Sequence, residues 1–116
     1  MSRNLLVLLI AWLGCAMSAH AATVPSGATC KDEATVQARK LLVFHFGSDD
    51  DRIDISPNVE PLPSIVNPRN ARQRFDVLEV WGTIYKGNYR MRFEYWPDKD
   101  GSCTLMGQEI LEYASL

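Results

Sequence analysis

Residues 75–96 read Phe-Asp-Val-Leu-Glu-Val-Trp-Gly-Thr-Ile-Tyr-Lys-Gly-Asn-Tyr-Arg-Met-Arg-Phe-Glu-Tyr-Trp. Two runs rich in β-branched and aromatic residues flank Gly87-Asn88, the composition of an antiparallel hairpin. With Gly87 and Asn88 as a two-residue loop, Lys86 is expected opposite Tyr89, Thr83 opposite Arg92, Trp81 opposite Glu94, and Glu79 opposite Trp96. One face then collects Leu78, Val80, Gly82, Ile84, Met91, Phe93 and Tyr95. The other collects Glu79, Trp81, Thr83, Tyr85, Arg90, Arg92, Glu94 and Trp96. A slip of one residue would set Arg90 and Arg92 among the aliphatic side chains, so burial selects this partition. The hairpin therefore needs a cover on one face only.

On the C-terminal side, Pro97 to Gly101 reads as a turn and Cys103 to Tyr113 as a further strand. Cys103, Leu105, Gly107 and Leu111 are expected on the apolar face, and Glu109 falls awkwardly among them. On the N-terminal side, Thr29 and Asp32 have the spacing of a capping box. Ala34, Ala38, Leu41, Leu42 and His45 follow at helical spacing, with Gly47 as the stop. This predicts a helix from Cys30 to about Phe46. The stretch from Ser56 to Arg69 carries Pro57, Pro61, Pro63 and Pro68, which exclude a central strand. It is expected to be a long surface connection with an edge strand near Val59 or Ile65, lying either across the Trp81/Trp96 face or beside it. The fold class is α+β: an N-terminal helix packed on a three- to four-stranded antiparallel meander.

The first residues have the layout of a secretory signal. Arg3 precedes the apolar run Leu5 to Leu13, and Ala19-His20-Ala21 has the small-x-small form of a cleavage site. Residues 1–21 are expected to be removed before Ala22, residues 22–29 to form a flexible leader, and residues 30–116 to form one small domain. The apolar run is short of the roughly 20 residues that span a bilayer, so no membrane span is expected. Trp12-Leu13-Gly14-Cys15 resembles a lipobox at Gly14 and Cys15 and departs from it at Trp12; soluble release into the periplasm or medium is the preferred expectation.

Loss of Arg3 takes the formal charge from −2 to −3. Mild acidity gives no electrostatic footing for nucleic acid. Of three cysteines, Cys15 belongs to the signal, and Cys30 and Cys103 remain. In an oxidising compartment a small domain with two cysteines is expected to pair them.

The residues suggest no catalytic machinery. His45 is the sole histidine of the mature chain and sits where a helix C-terminus would favour its cation. Asp49-Asp50-Asp51 lacks the ligand spacing of a calcium loop and reads as a solvated charge run. No metal site or cofactor is expected. The residues with the strongest functional chemistry are Trp81, Tyr85, Arg90, Arg92 and Trp96, since Trp, Tyr and Arg are enriched where proteins bind one another. The expected function is a small exported, non-enzymatic protein-binding domain whose partner is another protein in the cell envelope or outside the cell. One concrete form is an inhibitor or immunity protein for an envelope-acting enzyme. The alternatives are a small-molecule or lipid-binding domain, with a cavity lined by residues such as Leu42, Phe93 and Leu105, and a structural subunit of an envelope complex.

Overall fold

In the computed structural model, which describes residues 25–113 and residue 14, the alternation of residues 75–96 becomes the centre of a four-stranded sheet. The signal sequence, its cleavage site, Cys15 and the first residues of the leader lie outside the described residues. Two helices, α1 (Pro25–Thr29) and α2 (Lys31–Phe46), precede strands β1 (Asp54–Asn67), β2 (Asn70–Ile84), β3 (Gly87–Pro97) and β4 (Cys103–Tyr113). The strands pair antiparallel in chain order, β1-β2-β3-β4. No described helix is long and apolar enough to cross a membrane.

Helix α2 lies across one face of the sheet, chiefly over β1 and β2. Its buried side is narrow: Ala34, Ala38, Leu41 and Leu42. They meet Leu78, Val80, Ile84, Met91, Phe93 and Tyr95, the predicted apolar face, in one continuous core. The small Ala34 and Ala38 let the helix axis approach the sheet. At Gly82 the approach is closer still, because a Cβ there would stand 3.0–3.1 Å from Met91, Ile55 and Leu42. Gly47 closes the helix in the left-handed region at φ 100°, its N–H donating to Val43 O at 2.8 Å.

The start of α2 differs from the capping-box expectation. Residues 25–29 of the leader are helical, so Thr29 ends α1 rather than beginning α2, and the N-cap passes to Cys30, which makes no side-chain capping bond. Helix α1 is fastened to the sheet by Ser26, whose N–H and hydroxyl both donate to Asp76 Oδ2, at 3.1 and 2.8 Å. Both residues are buried. A buried carboxylate that accepts two hydrogen bonds is the kind of polar contact a core tolerates.

Cys30 and Cys103 form a disulfide with Cα atoms 5.6 Å apart, as the sequence predicted, joining the head of α2 to the first residue of β4. Cys30 is wholly buried.

The hairpin keeps its predicted faces and changes its register. Ile84 pairs with Gly87, Trp81 with Arg90 and Glu79 with Arg92, so the loop residues are Tyr85 and Lys86 rather than Gly87 and Asn88. The shift is an even number of residues, which leaves the side chains of the paired residues on their predicted faces and takes Tyr85 into the turn. Tyr85 adopts φ 53°, a conformation costly for a residue with a Cβ. Its ring offsets that cost by packing 3.8 Å beneath the Arg52 guanidinium and 6.1 Å from Phe46. Gly87 serves a different purpose from the one its sequence suggests: the Tyr89 hydroxyl folds to within 2.9 Å of where a Cβ would stand.

Strand β4 also departs from simple alternation. Glu94 pairs with Gly107 but Tyr95 pairs with Leu105, so Met106 is an extra residue in a β-bulge. Cys103 and Leu105 face α2 before the bulge, and Ile110 faces it after. Glu109 thereby moves to the opposite face, beside Arg92 at 3.9 Å. Leu111 follows it and is exposed. The bulge resolves the awkward glutamate of the unbroken pattern and removes Gly107 and Leu111 from the apolar face.

Two outcomes follow. The disulfide closes a chain separation of 73 residues, so a Cys30→Ser/Cys103→Ser variant should lose about 4 kcal/mol of unfolding free energy on the chain-entropy estimate, measured by urea denaturation. Burial pushes the Tyr95 hydroxyl up to about 12 from 10.0. Its folded-state value exceeds its unfolded one, so its contribution is complete below pH 10 and is lost as pH rises through 12. The wild type should weaken over that window, and Tyr95→Phe should weaken less.

Candidate functional site

The face turned away from α2 carries the candidate chemistry. Its odd-numbered β2 residues run Phe75, Val77, Glu79, Trp81, Thr83, and its even-numbered β3 residues run Asn88, Arg90, Arg92, Glu94, Trp96. Strand β1 lies in the plane of the sheet, at its edge, with Leu62 paired to Val77 and Ile65 to Phe75. The proline-rich segment therefore flanks this face instead of folding across Trp81.

Three local arrangements occupy the face. At its centre, Glu79 is buried and accepts from Arg92 Nε at 2.8 Å and from Trp81 Nε1 at 3.0 Å. Arg92 is held between Glu79 and Glu109. The bond from Glu79 raises the pKa of Arg92. The buried carboxylate is thus matched by a charge-assisted pair, the condition on which an ionised group survives partial burial.

Towards the β2–β3 turn, Trp81 and Tyr113 bring their rings to 5.5 Å. Arg90 Nη1 donates to the Tyr113 hydroxyl at 3.0 Å. Its Nε is buried without a hydrogen-bond partner. Trp81 and Tyr113 are each 39% exposed and Leu111 is 45% exposed, so three large apolar side chains beside Arg90 remain open to solvent.

Towards the other end, Trp96 sets its ring edge-on against Phe75 at 6.3 Å and helps bury it. Between these ends runs a groove of about 400 Å³, with Val77 on its floor and Leu62, Ile65, Arg92, Glu94 and Glu109 along its sides. The Glu94 carboxylate folds over the space that a Cβ at residue 107 would fill.

The five sequence candidates are therefore not one cluster. Trp81 and Arg90 stand together and Arg92 is bonded beneath them. Trp96 belongs to the far end. Tyr85 sits in the turn, against Arg52 and Phe46, off the face. Sequence reasoning missed Tyr113 and Leu111, because an alternating pattern without the Met106 bulge gives them the wrong partners.

The other features have structural roles. His45 Nε2 lies 3.7 Å from Glu112 Oε2 and its ring meets Tyr89 edge-on at 5.5 Å. The acidic loop is paired in part: Asp49 accepts from Arg39 of α2 and Asp50 from Arg52, and the side-chain bond from Arg52 holds the Asp50 carboxyl well below its ordinary range. Among the described residues no three His, Cys, Asp or Glu side chains converge as a metal site. Leu42 and Phe93 are wholly buried in the core, and Leu105 packs against it partly buried. An open apolar groove of about 800 Å³ lies instead on the outer side of α2, between Val36, Val43 and Phe44 and the Ile53–Ile55 segment.

Arg92 and Arg90 should separate on substitution. Arg92→Ala strands the buried Glu79 carboxylate and should cost about 1–3 kcal/mol in thermal or urea melts. Arg90→Ala removes a guanidinium with an unbonded Nε and should stay within about 0.5 kcal/mol of the wild type.

Comparison with protein-family models, with curated proteins and with solved structures finds no match to this chain.

Proposed function

We propose that this chain is a small exported, non-enzymatic protein-binding domain whose partner docks on the sheet face opposite α2. The observation that carries the proposal is the position of β1. Because it extends the sheet at its edge, Trp81, Leu111 and Tyr113 remain accessible around Arg90. Aromatic rings and arginine around a partly desolvated centre are the chemistry from which binding hot spots are made. The Arg92–Glu79 pair beneath them supports the reading in another way. It fixes the Trp81 indole through a hydrogen bond, and a ring already held in place loses little freedom on binding.

The cell envelope or the extracellular space is the setting that the signal-like N-terminus and the disulfide favour, with release before Ala22 preferred to a lipid anchor at Cys15. An inhibitor or immunity protein of an envelope-acting enzyme is the concrete form we favour. A permanent subunit of an envelope complex would use the same face and differ in never leaving its partner.

A small-molecule reading has one specific observation in its favour, the groove outside α2. Its apolar walls suit an apolar ligand. A panel of fatty acids that raises the melting temperature of the wild type but not of Val43→Asp would support that reading over ours.

The direct test is capture from envelope extract with the disulfide-bonded protein as bait, followed by titration of the captured protein. Trp81→Ala and Tyr113→Ala should each weaken binding by about 30-fold or more if they are hot spots. Affinity unchanged in both variants overturns the proposed face.

A further inference from the structure

The two edges of the sheet are treated in opposite ways. The outer edge of β1 is interrupted by Pro57, Pro61 and Pro63, and its pairing with β2 shifts register between Ile55 and Val59, Leu62 and Ile65, and Val66 and Asn67. Proline and bulges are the devices by which an exposed strand is kept from pairing with another chain. Strand β4 has less of this protection: it is 11 residues long, carries one bulge, contains no proline, lysine or arginine, and has Glu109 and Glu112 as its only charges. No described strand pairs with its outer edge. Helix α2 packs mainly on β1 and β2 and touches β4 more lightly, through Gln37 on Gln108 and His45 on Glu112.

We propose that β4 is a dimerisation edge, on which the stretch Gly107–Tyr113 pairs antiparallel with the same stretch of a second copy about Ile110. This goes beyond the partner face proposed above and does not depend on it. The occupant follows from the sequence of the edge itself. Beyond the Met106 bulge the strand is regular, and read against its own reverse about Ile110 it is self-complementary. Ile110 meets Ile110, Gln108 stands opposite Glu112, Glu109 opposite Leu111, and Gly107 opposite Tyr113. No two like charges are directly opposed, and like charges in that position are what most penalises a strand pair.

The faces agree as well. Gln108, Ile110 and Glu112 face α2 in each copy, as their contacts with Gln37, the core and His45 show. Glu109 and Tyr113 face the other way, towards Arg92 and Trp81, and Leu111 lies between them in the alternation. A two-fold axis normal to the sheet keeps like faces together, so the half-covered Ile110 side chains would complete each other's burial. The exposed Leu111 and Tyr113 of both copies would form one strip.

The contact is small. Seven paired residues and their flanks fall below the roughly 20–30 residues a side of a standard interface, so the dimer is expected to dissociate on dilution. Sedimentation velocity and light scattering of the oxidised protein, over a series from about 1 μM to about 1 mM, should show a reversible monomer–dimer equilibrium.

Register is tested by charge at Gln108, an exposed residue. Gln108→Glu creates two like-charge pairs with Glu112 per dimer and should weaken dimerisation about 2- to 30-fold, whereas Gln108→Lys creates two opposite-charge pairs and should strengthen it by a similar factor. Both lose the 2.9 Å bond between Gln37 and Gln108, so that loss does not distinguish them. Equal melting temperatures of the monomeric forms at low concentration would show that the fold is intact. A protein that stays monomeric across the series, or a dimer that the two variants shift in the same direction or not at all, overturns the proposal.

Discussion

One helix of 16 residues cannot cover both faces of a four-stranded sheet. That inequality governs the rest of the molecule. The face under α2 is apolar at its centre, with Asp76, Gln108 and Glu112 as polar members around it. The other face must tolerate water while it buries Phe75, Val77 and Glu79. It settles the conflict with amphipathic residues: Arg92 paired to two glutamates, Arg90 bonded to a tyrosine, and aromatic rings that carry a polar group. These side chains bury part of their length and keep one end wet. The same constraint fixes the importance of the disulfide, because a core sealed on one side only has little surplus stability for a chain of this size.

The sheet faces were legible because alternation has a period of two and is insensitive to even shifts of register. Leu78, Val80, Met91 and Phe93 fall on the buried side under either turn. The turn itself was not legible. Gly87-Asn88 carries the local signal, but the contact of Tyr85 with Arg52 and Phe46 links residues far apart in the chain, and tertiary packing prevails over turn propensity. The helix was read to within one residue of its start, since Ala34, Ala38, Leu41 and Leu42 repeat at its period. Helix α1 left no signal, because it is held by a serine and an aspartate 50 positions apart.

The candidate face was legible in part for related reasons. Trp81 and Arg90 announce themselves by residue type, and parity places them together. Tyr113 and Leu111 join them only because the strand carries one extra residue at Met106. A bulge has no strong composition of its own, so its effect appears in the sequence only as a contradiction, here a glutamate assigned to a core. Such contradictions are informative. Glu109 is better read as evidence of a break in alternation than as a buried charge.

The disulfide has a topological consequence. By joining Cys30 to Cys103 it makes a covalent ring of α2, β1, β2 and β3, and leaves the residues of β4 after Cys103 as a tail outside it. Strands β1, β2 and β3 lie wholly within the ring, whereas the residues of β4 beyond Cys103 do not. Separating them from β3 would leave the ring closed but would give up the contacts of Gln108 and Glu112 with Gln37 and His45 of α2. The unpaired edge opposite β1 thus belongs to the one described strand whose length the disulfide ring does not enclose, and that strand is held to the fold by its ladder to β3 and its contacts with α2.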